Sequence, residues 1–158
     1  MIESYTVTLE WFEVTEAAIV GVMRNVASMK GEADSDGAPR HLWFANHIRG
    51  ACAEMAFAKL TGMYWSHSVN KHSLPDVGEF EVRSTWLEDG SLRCYKKDSP
   101  GRKIVLAVGD PPTFTFVGWS TAEYIRERGT TNGYHWALDQ DGLFPMEELF
   151  AQRGWAER

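Results

Sequence analysis

The spacing of hydrophobic and polar residues at the start of the chain predicts an extended segment followed by a helix. Residues 5–14 alternate in part, as a strand or an extended arm would. Thr15 is placed to cap a helix over residues 16–29. Apolar side chains recur in that helix at spacings of three and four, at Ile19, Val22, Met23 and Val26. Residues 32–39 are polar, and we expect them to form a mobile loop.

The middle of the chain predicts a helix and then a series of strands. The helix spans residues 41–61, because Gly62 follows it as a C-terminal signal. Gly50 in its interior costs helix stability, so we expect another part of the chain to pack closely there. Apolar or alternating runs predict strands over 63–69, 80–87, 92–95, 104–108 and 114–119. A Glu-Asp-Gly turn makes the third of these runs the hairpin partner of the second.

The last forty residues predict a helix, a strand and a short helix. Ser120 and Glu123 form a capping box for a helix over residues 121–128. A strand near 134–138 and a short helix near 146–152 follow. The order of helix, three or four strands, helix and strand predicts an α/β fold with a mixed central sheet flanked by helices.

Length, charge and cysteine content narrow the class of protein. A chain of 158 residues fits one domain, with residues 40–158 as its core and residues 1–39 as an N-terminal strand and helix extension. The net charge of −6 argues against strong non-specific binding to nucleic acid. The two cysteines stand outside any CxxC pair, and no run of about 18 apolar residues occurs. We therefore expect a cytoplasmic protein that does not enter a membrane.

The segment PDVGEFEVRST, residues 75–85, carries the strongest chemical signal in the sequence. In a strand, Glu81 and Arg83 point to one face and Val82 to the other. Asp76 lies just upstream, where the chain enters that strand. Two carboxylates would then meet beside a permanent cation. Such a group can hold a hard divalent metal ion through oxygen ligands and set it against a phosphate.

This segment resembles the core of the PD-(D/E)XK nuclease superfamily, with Arg83 in the place of the usual lysine. Glu54 strengthens the resemblance, because it lies on the predicted helix four residues after Gly50. Over residues 40–150 the chain also resembles small phage and prophage proteins. The resemblance implies a restriction-endonuclease-like αβββαβ core.

The resemblance also implies roles for individual residues. Asp76 and Glu81 would bind Mg²⁺, or Mn²⁺ in its place, and the Val82 carbonyl would join them. Glu54 would be a further acidic group, acting directly or through water. Water bound to the metal ion would attack the phosphorus. Arg83 would clamp the phosphate and stabilise charge, but it stays protonated and cannot act as an acid or base.

Five cations occur within eleven residues around a predicted hairpin, and they allow two interpretations. They are Arg93, Lys96, Lys97, Arg102 and Lys103. They form either a nucleic-acid-binding flap that grips phosphates or a solvated turn. Several tryptophans could likewise stack on bases or belong to the core, namely Trp43, Trp65, Trp86, Trp119 and Trp136.

Two functions follow from these patterns. The first is a metal-dependent deoxyribonuclease that hydrolyses DNA phosphodiester bonds. The second is a catalytically weak or inactive protein of the same fold, which binds nucleic acid or a host protein as a phage accessory or counter-defence factor. The acidic balance fits a protein partner better than bare DNA. The oligomeric state, monomer or homodimer, stays open.

Overall fold

A computed structural model describes residues 5–30, 38–69, 71 and 73–155. Its helices are α1 (Trp11–Met29), α2 (Trp43–Thr61), α3 (Ala122–Arg128) and α4 (Met146–Arg153), with 3₁₀ turns at Arg40–Leu42 and Gln140–Gly142. Its strands are β1 (Thr6–Thr8), β2 (Phe80–Thr85), β3 (Leu92–Tyr95), β4 (Lys103–Asp110), β5 (Thr113–Thr121), β6 (Thr130–Thr131) and β7 (His135–Leu138). The predicted mixed α/β class is confirmed. Residues 32–37 of the predicted mobile loop lie outside the described part of the chain.

The strands form two sheets. One has the order β1-β5-β4-β2, in which β2 and β4 run parallel and the other pairs are antiparallel. The other sheet is antiparallel, with the order β3-β7-β6. The prediction that β3 pairs with β2 was wrong. Strand β3 buries Leu92 and Cys94 in a cluster with Ile125 of α3, and this packing draws it to β7.

The main core lies between α2 and the four-stranded sheet. The Phe57 ring of α2 lies 5.5 Å from the Phe80 ring of β2 and 5.2 Å from the Phe116 ring of β5. All three side chains are almost fully buried. This packing fixes α2 against β2 and thereby sets one side of the candidate site.

Helix α1 begins earlier than predicted, so the expected extended arm over residues 5–14 was largely wrong. Only Thr6–Thr8 form a strand, and the helix starts at Trp11. The Glu13 carboxylate accepts a 2.7 Å hydrogen bond from the Glu10 N–H, which satisfies the start of the helix. Thr15 therefore lies inside the helix, where its hydroxyl donates to the Trp11 carbonyl.

The apolar stripe of α1 faces outward. Its members are 39 to 58% exposed: Ile19, Val22, Met23 and Val26. The helix instead packs on α2 through small residues, including Ala17 and Gly21. A Cβ at Gly21 would lie only 2.6 Å from the Ile48 Cα, so the two helix backbones approach too closely for a side chain there.

Three further local predictions were wrong. Residues 63–69 form no strand, and Trp65 makes a single bridge to Val77. The cap of α3 is Thr121, whose hydroxyl accepts a 3.2 Å bond from the Tyr124 N–H, and Ser120 is buried. No described atom lies within 4 Å of a Cβ built on Gly50, so nothing packs closely there. In the described part of the chain, no helix has the length and apolar character needed to span a bilayer.

Candidate functional site

A cleft of about 660 Å³ opens between α2 and strands β2 and β3. Glu54 of α2 and Val82 and Arg83 of β2, three of the predicted site residues, line it. Gly50 also lines the cleft, one turn before Glu54. Because a side chain there would meet open space, glycine keeps the cleft wide at this point.

Glu54 is buried on the helical side of the cleft and is held by an arginine from α1. Its carboxylate accepts bonds of 2.6 and 2.8 Å from the two terminal nitrogens of Arg24, and Trp65 Nε1 donates a third, at 2.8 Å. Burial, and then repulsion from Asp76, raise the pKa of Glu54 to about 7 even though Arg24 opposes the shift. A buried carboxylate therefore sits fully paired beside a second acidic group.

Asp76 interacts electrostatically with both of the other predicted acidic residues, Glu54 and Glu81. Its Oδ2 accepts a 2.8 Å bond from the Val82 N–H, which fixes it at the start of β2. Burial, and then repulsion from Glu81, raise its pKa to about 7, with Arg83 opposing the shift. Since Asp76 perturbs Glu54 and is perturbed by Glu81, the three predicted acidic residues are brought into one neighbourhood.

Glu81 is buried and contacts two arginines. Arg83 lies 3.3 Å from one carboxylate oxygen, and Arg102 lies 3.5 Å from the other. Arg83 also donates to both oxygens of Asp98, at 3.0 and 3.2 Å, and its guanidinium lies 5.4 Å from the centre of the Tyr95 ring. The Arg83 side chain is thus held at the cleft by two carboxylates and an aromatic face.

Arg83 stays protonated, and one of its N–H donors makes no hydrogen bond to a described residue. Burial alone would lower its pKa, but attraction from Asp98, Glu81 and Asp76 raises the pKa above its ordinary value. Its Nε is buried and has no hydrogen-bond partner among the described residues. A buried donor of this kind normally has an acceptor, so an oxyanion that displaced the neighbouring side chains would find such a donor at Arg83.

The cleft is basic although the protein as a whole carries a net charge of −6. Its lining contains five cationic side chains, Arg24, Arg49, Arg83, Arg93 and Lys97, and two carboxylates, Glu54 and Asp89. A cleft lined mainly by one sign of charge concentrates ligands of the opposite sign. Because Arg24, Arg49 and Arg83 are paired with carboxylates, Arg93 and Lys97 are the lining cations left for an anionic ligand.

The five cations of the predicted basic hairpin do not all lie in the cleft. Arg93 and Lys97 line the cleft, and neither forms an ion pair with another described residue. Arg102 is engaged by Glu81. Lys103 lies 3.1 Å from Glu79, and Lys96 is exposed outside the cleft lining.

The predicted metal ligands have suitable chemistry, but their oxygens face guanidinium groups. Carboxylate and carbonyl oxygens are the donors that Mg²⁺ prefers, and Asp76, Glu81, Glu54 and Val82 supply them. Within residues 5–30, 38–69, 71 and 73–155, no set of three or more His, Cys, Asp or Glu side chains is arranged to hold a metal ion. Asp76 and Glu81 lie beside the cleft rather than on its lining. An ion would therefore need the arginine pairs to rearrange.

Sequence reasoning missed two residues of this site, Arg24 and Asp98. Arg24 is the only basic residue within α1, and a lone cation among the apolar residues at 17–23 is a usable signal for a buried partner. Asp98 lies in a polar turn after β3 and accepts a 2.8 Å bond from the Tyr95 N–H. Turn acids of this kind are common, so its local sequence gives no comparable signal.

Comparison of the chain with protein-family models, with curated proteins and with solved structures found no match.

Proposed function

We propose that this protein is a divalent-metal-dependent nuclease that hydrolyses DNA phosphodiester bonds in the cleft between α2 and β2. The observation that carries the proposal is that acidic residues and a cation-rich cleft, both of which a nuclease requires, lie next to each other. Glu54 lies on the lining of the cleft and Asp76 and Glu81 lie beside it, and that lining has more cations than carboxylates. The carboxylates suit a metal ion, and the cations suit a phosphate backbone.

The proposed metal ion is Mg²⁺, for which Mn²⁺ can substitute. Asp76 and Glu81 would hold it, together with the Val82 carbonyl, and Glu54 would complete the acidic set. When bound, it supplies an activated water and screens charge on the phosphate. The whole set is on residues 54–82, which the α2–β2 packing holds together.

The protein's own contribution is to hold the phosphate. Arg83 carries a buried Nε–H donor that has no acceptor among the described residues, and its terminal nitrogens are fixed by Glu81 and Asp98. Fixed donors stabilise developing negative charge without reorganising during the reaction. Arg93 and Lys97, which have no ion-pair partner among the described residues, would contact phosphates further along the strand.

The test is DNA cleavage by the purified protein, with plasmid and labelled oligonucleotides, in Mg²⁺, in Mn²⁺ and in chelator. Asp76→Asn and Glu81→Gln are the site variants. Glu79→Gln is the matched control, because Glu79 is exposed, lies in the same segment and pairs with Lys103. We expect metal-dependent cleavage that both site variants lose and the control keeps. A wild-type protein that neither cuts DNA nor binds Mn²⁺ would overturn the proposal.

A second function is a catalytically inactive protein that binds nucleic acid or a protein partner. One observation favours it: every predicted carboxylate ligand except Asp76 is already paired with an arginine. The exposed apolar stripe of α1 adds a surface suited to a protein partner. Binding of DNA without cleavage under all metal conditions would select this function.

A further inference from the structure

An exposed aromatic ring forms part of the cleft lining. Trp86 directly follows β2 and is 61% exposed, and Leu87 beside it is 44% exposed. A tryptophan with most of its surface in water buries little apolar area in the folded chain. It lies three residues after Arg83, on the same continuous segment that supplies the phosphate-binding donor.

The turn that displays Trp86 is held in place by a set of hydrogen bonds. The Leu87 N–H donates to the Thr85 hydroxyl at 3.2 Å, and the Gly90 N–H donates to the Leu87 carbonyl at 3.0 Å. The Gln140 amide donates to the Glu88 and Gly90 carbonyls, at 2.8 and 3.0 Å. The backbone that carries the ring is therefore fixed before any ligand arrives, which reduces the entropy lost on binding.

Cations that fit a nucleic-acid backbone lie in the same cleft. Arg93 and Lys97 line it with Trp86, and both lack an ion-pair partner among the described residues. An aromatic face next to free cations is the combination with which proteins hold single-stranded nucleic acid. A base in an intact duplex exposes only its edges, so only an unpaired base can stack on this ring.

We propose that Trp86 is a stacking platform for an unpaired base, and that the cleft takes single-stranded DNA or a single-stranded end rather than an intact duplex. This inference rests on the proposed function for the identity of the ligand, but it concerns recognition and not hydrolysis. It makes Trp86 a specificity-determining residue outside the carboxylate site.

The test measures DNA binding in chelator, so that no cleavage occurs. The probes are a labelled single-stranded 20-mer, the same strand with a central abasic tract, and the blunt duplex of the same sequence. The variants are Trp86→Ala and Trp86→Phe, which keeps an aromatic ring. Trp11→Ala is the control, because Trp11 is 70% exposed and lies on α1 outside the cleft lining.

We expect Trp86→Ala to weaken binding of the intact single strand at least about fivefold, the lower end of what base stacking contributes. Trp86→Phe and the control should stay within about twofold. The abasic strand should bind wild type and Trp86→Ala equally, because the stacking partner is gone. The salt dependence should not change, since the substitution removes no phosphate contact.

The inference is overturned if Trp86→Ala binds the single strand normally, if it loses the same factor on the abasic strand, or if the wild type prefers the blunt duplex. Failure of the proposed function is distinguishable. Metal-dependent cleavage with no effect of Trp86→Ala refutes the stacking role alone. Base-dependent binding without cleavage refutes hydrolysis alone.

Discussion

The two sides of the cleft neutralise their carboxylates in different ways. On the helical side, Glu54 forms one bidentate pair with Arg24, and their remaining hydrogen bonds are with Trp65 Nε1 and the Ser68 carbonyl. On the strand side, Glu81 is shared by Arg83 and Arg102, and Arg83 is divided between Glu81 and Asp98. The helical side is a closed pair, whereas the strand side is a network with a spare donor. Only the strand side has a buried donor, Arg83 Nε, without an acceptor among the described residues.

The largest effect should come from opening the closed pair. Arg24→Met leaves the Glu54 carboxylate buried without its cation, which should lower the free energy of unfolding by about 3–5 kcal/mol. Chemical denaturation measures it. Lys30→Met, an exposed position directly after the same helix, should cost less than about 0.5 kcal/mol. The double variant Arg24→Met with Glu54→Gln should recover part of the loss, because no charge is then left unpaired. Equal costs for Arg24→Met and Lys30→Met would show that the pair is not closed.

The next effect concerns the strand side and is a loss of activity rather than stability. Asp76→Asn keeps an oxygen to accept the Val82 N–H but removes the charge. We expect cleavage to fall about a hundredfold or more, because a metal ion supplies several kcal/mol of charge stabilisation. Stability should hold or rise, since repulsion from Glu81 is relieved. A variant that cuts normally would remove Asp76 from the site.

A third prediction concerns how the stability of the metal-free protein changes with pH. The folded-state pKa values of Glu54 and Asp76, both about 7, lie above their ordinary values of 4.5 and 3.8. The folded state therefore binds more protons than the unfolded chain across this window. The contribution of Glu54 and Asp76 to the stability of the folded state is therefore full below about pH 4, and it is lost as the pH rises to 7.

Denaturation in chelator at several pH values measures this loss. It should exceed about 1.4 kcal/mol, the equivalent of a one-unit shift. Asp76→Asn should reduce the slope, and Glu79→Gln should leave it unchanged. A flat profile in the wild type would contradict the repulsion inferred at the centre of the site.

The smallest effect should follow from Arg83→Lys. Lysine keeps the positive charge but cannot reach Glu81 and Asp98 with separate nitrogens. We expect a stability loss of about 1 kcal/mol, the usual net contribution of a hydrogen bond. Cleavage should be kept or increased, because lysine is the residue expected by resemblance at this position. Arg128→Lys, at an exposed position of α3 outside the cleft lining, should change neither property measurably. Complete loss of cleavage with intact folding would show that the guanidinium fork itself is required.

Local signals predicted the elements that frame the site. The end of α2 followed from Gly62, which adopts a φ of 71° as a helix C-terminal glycine does. The apolar run of β4 predicted a buried central strand, and all of Ile104, Val105 and Leu106 are buried. These properties depend on neighbouring residues, so the sequence carries them directly.

The arrangement of those elements in space was harder to predict. The pairing of β3 with β7 joins residues forty or more positions apart, and a nearby turn favoured the wrong partner. Arg24 reaches Glu54 across two helices, so no local motif contains both. The outward stripe of α1 followed the helical period correctly, but periodicity alone does not say which face of a helix meets the protein.

Gly21 links the architecture of the helix pair to the chemistry of the cleft. It lies one turn before Arg24, at the point where the α1 and α2 backbones touch. Any larger residue would push the helices apart and lengthen the reach required of the guanidinium. The distance between the α1 and α2 backbones therefore sets how far Arg24 must reach to Glu54. A methyl group added at Gly21 would move the helices apart and free Glu54 from Arg24.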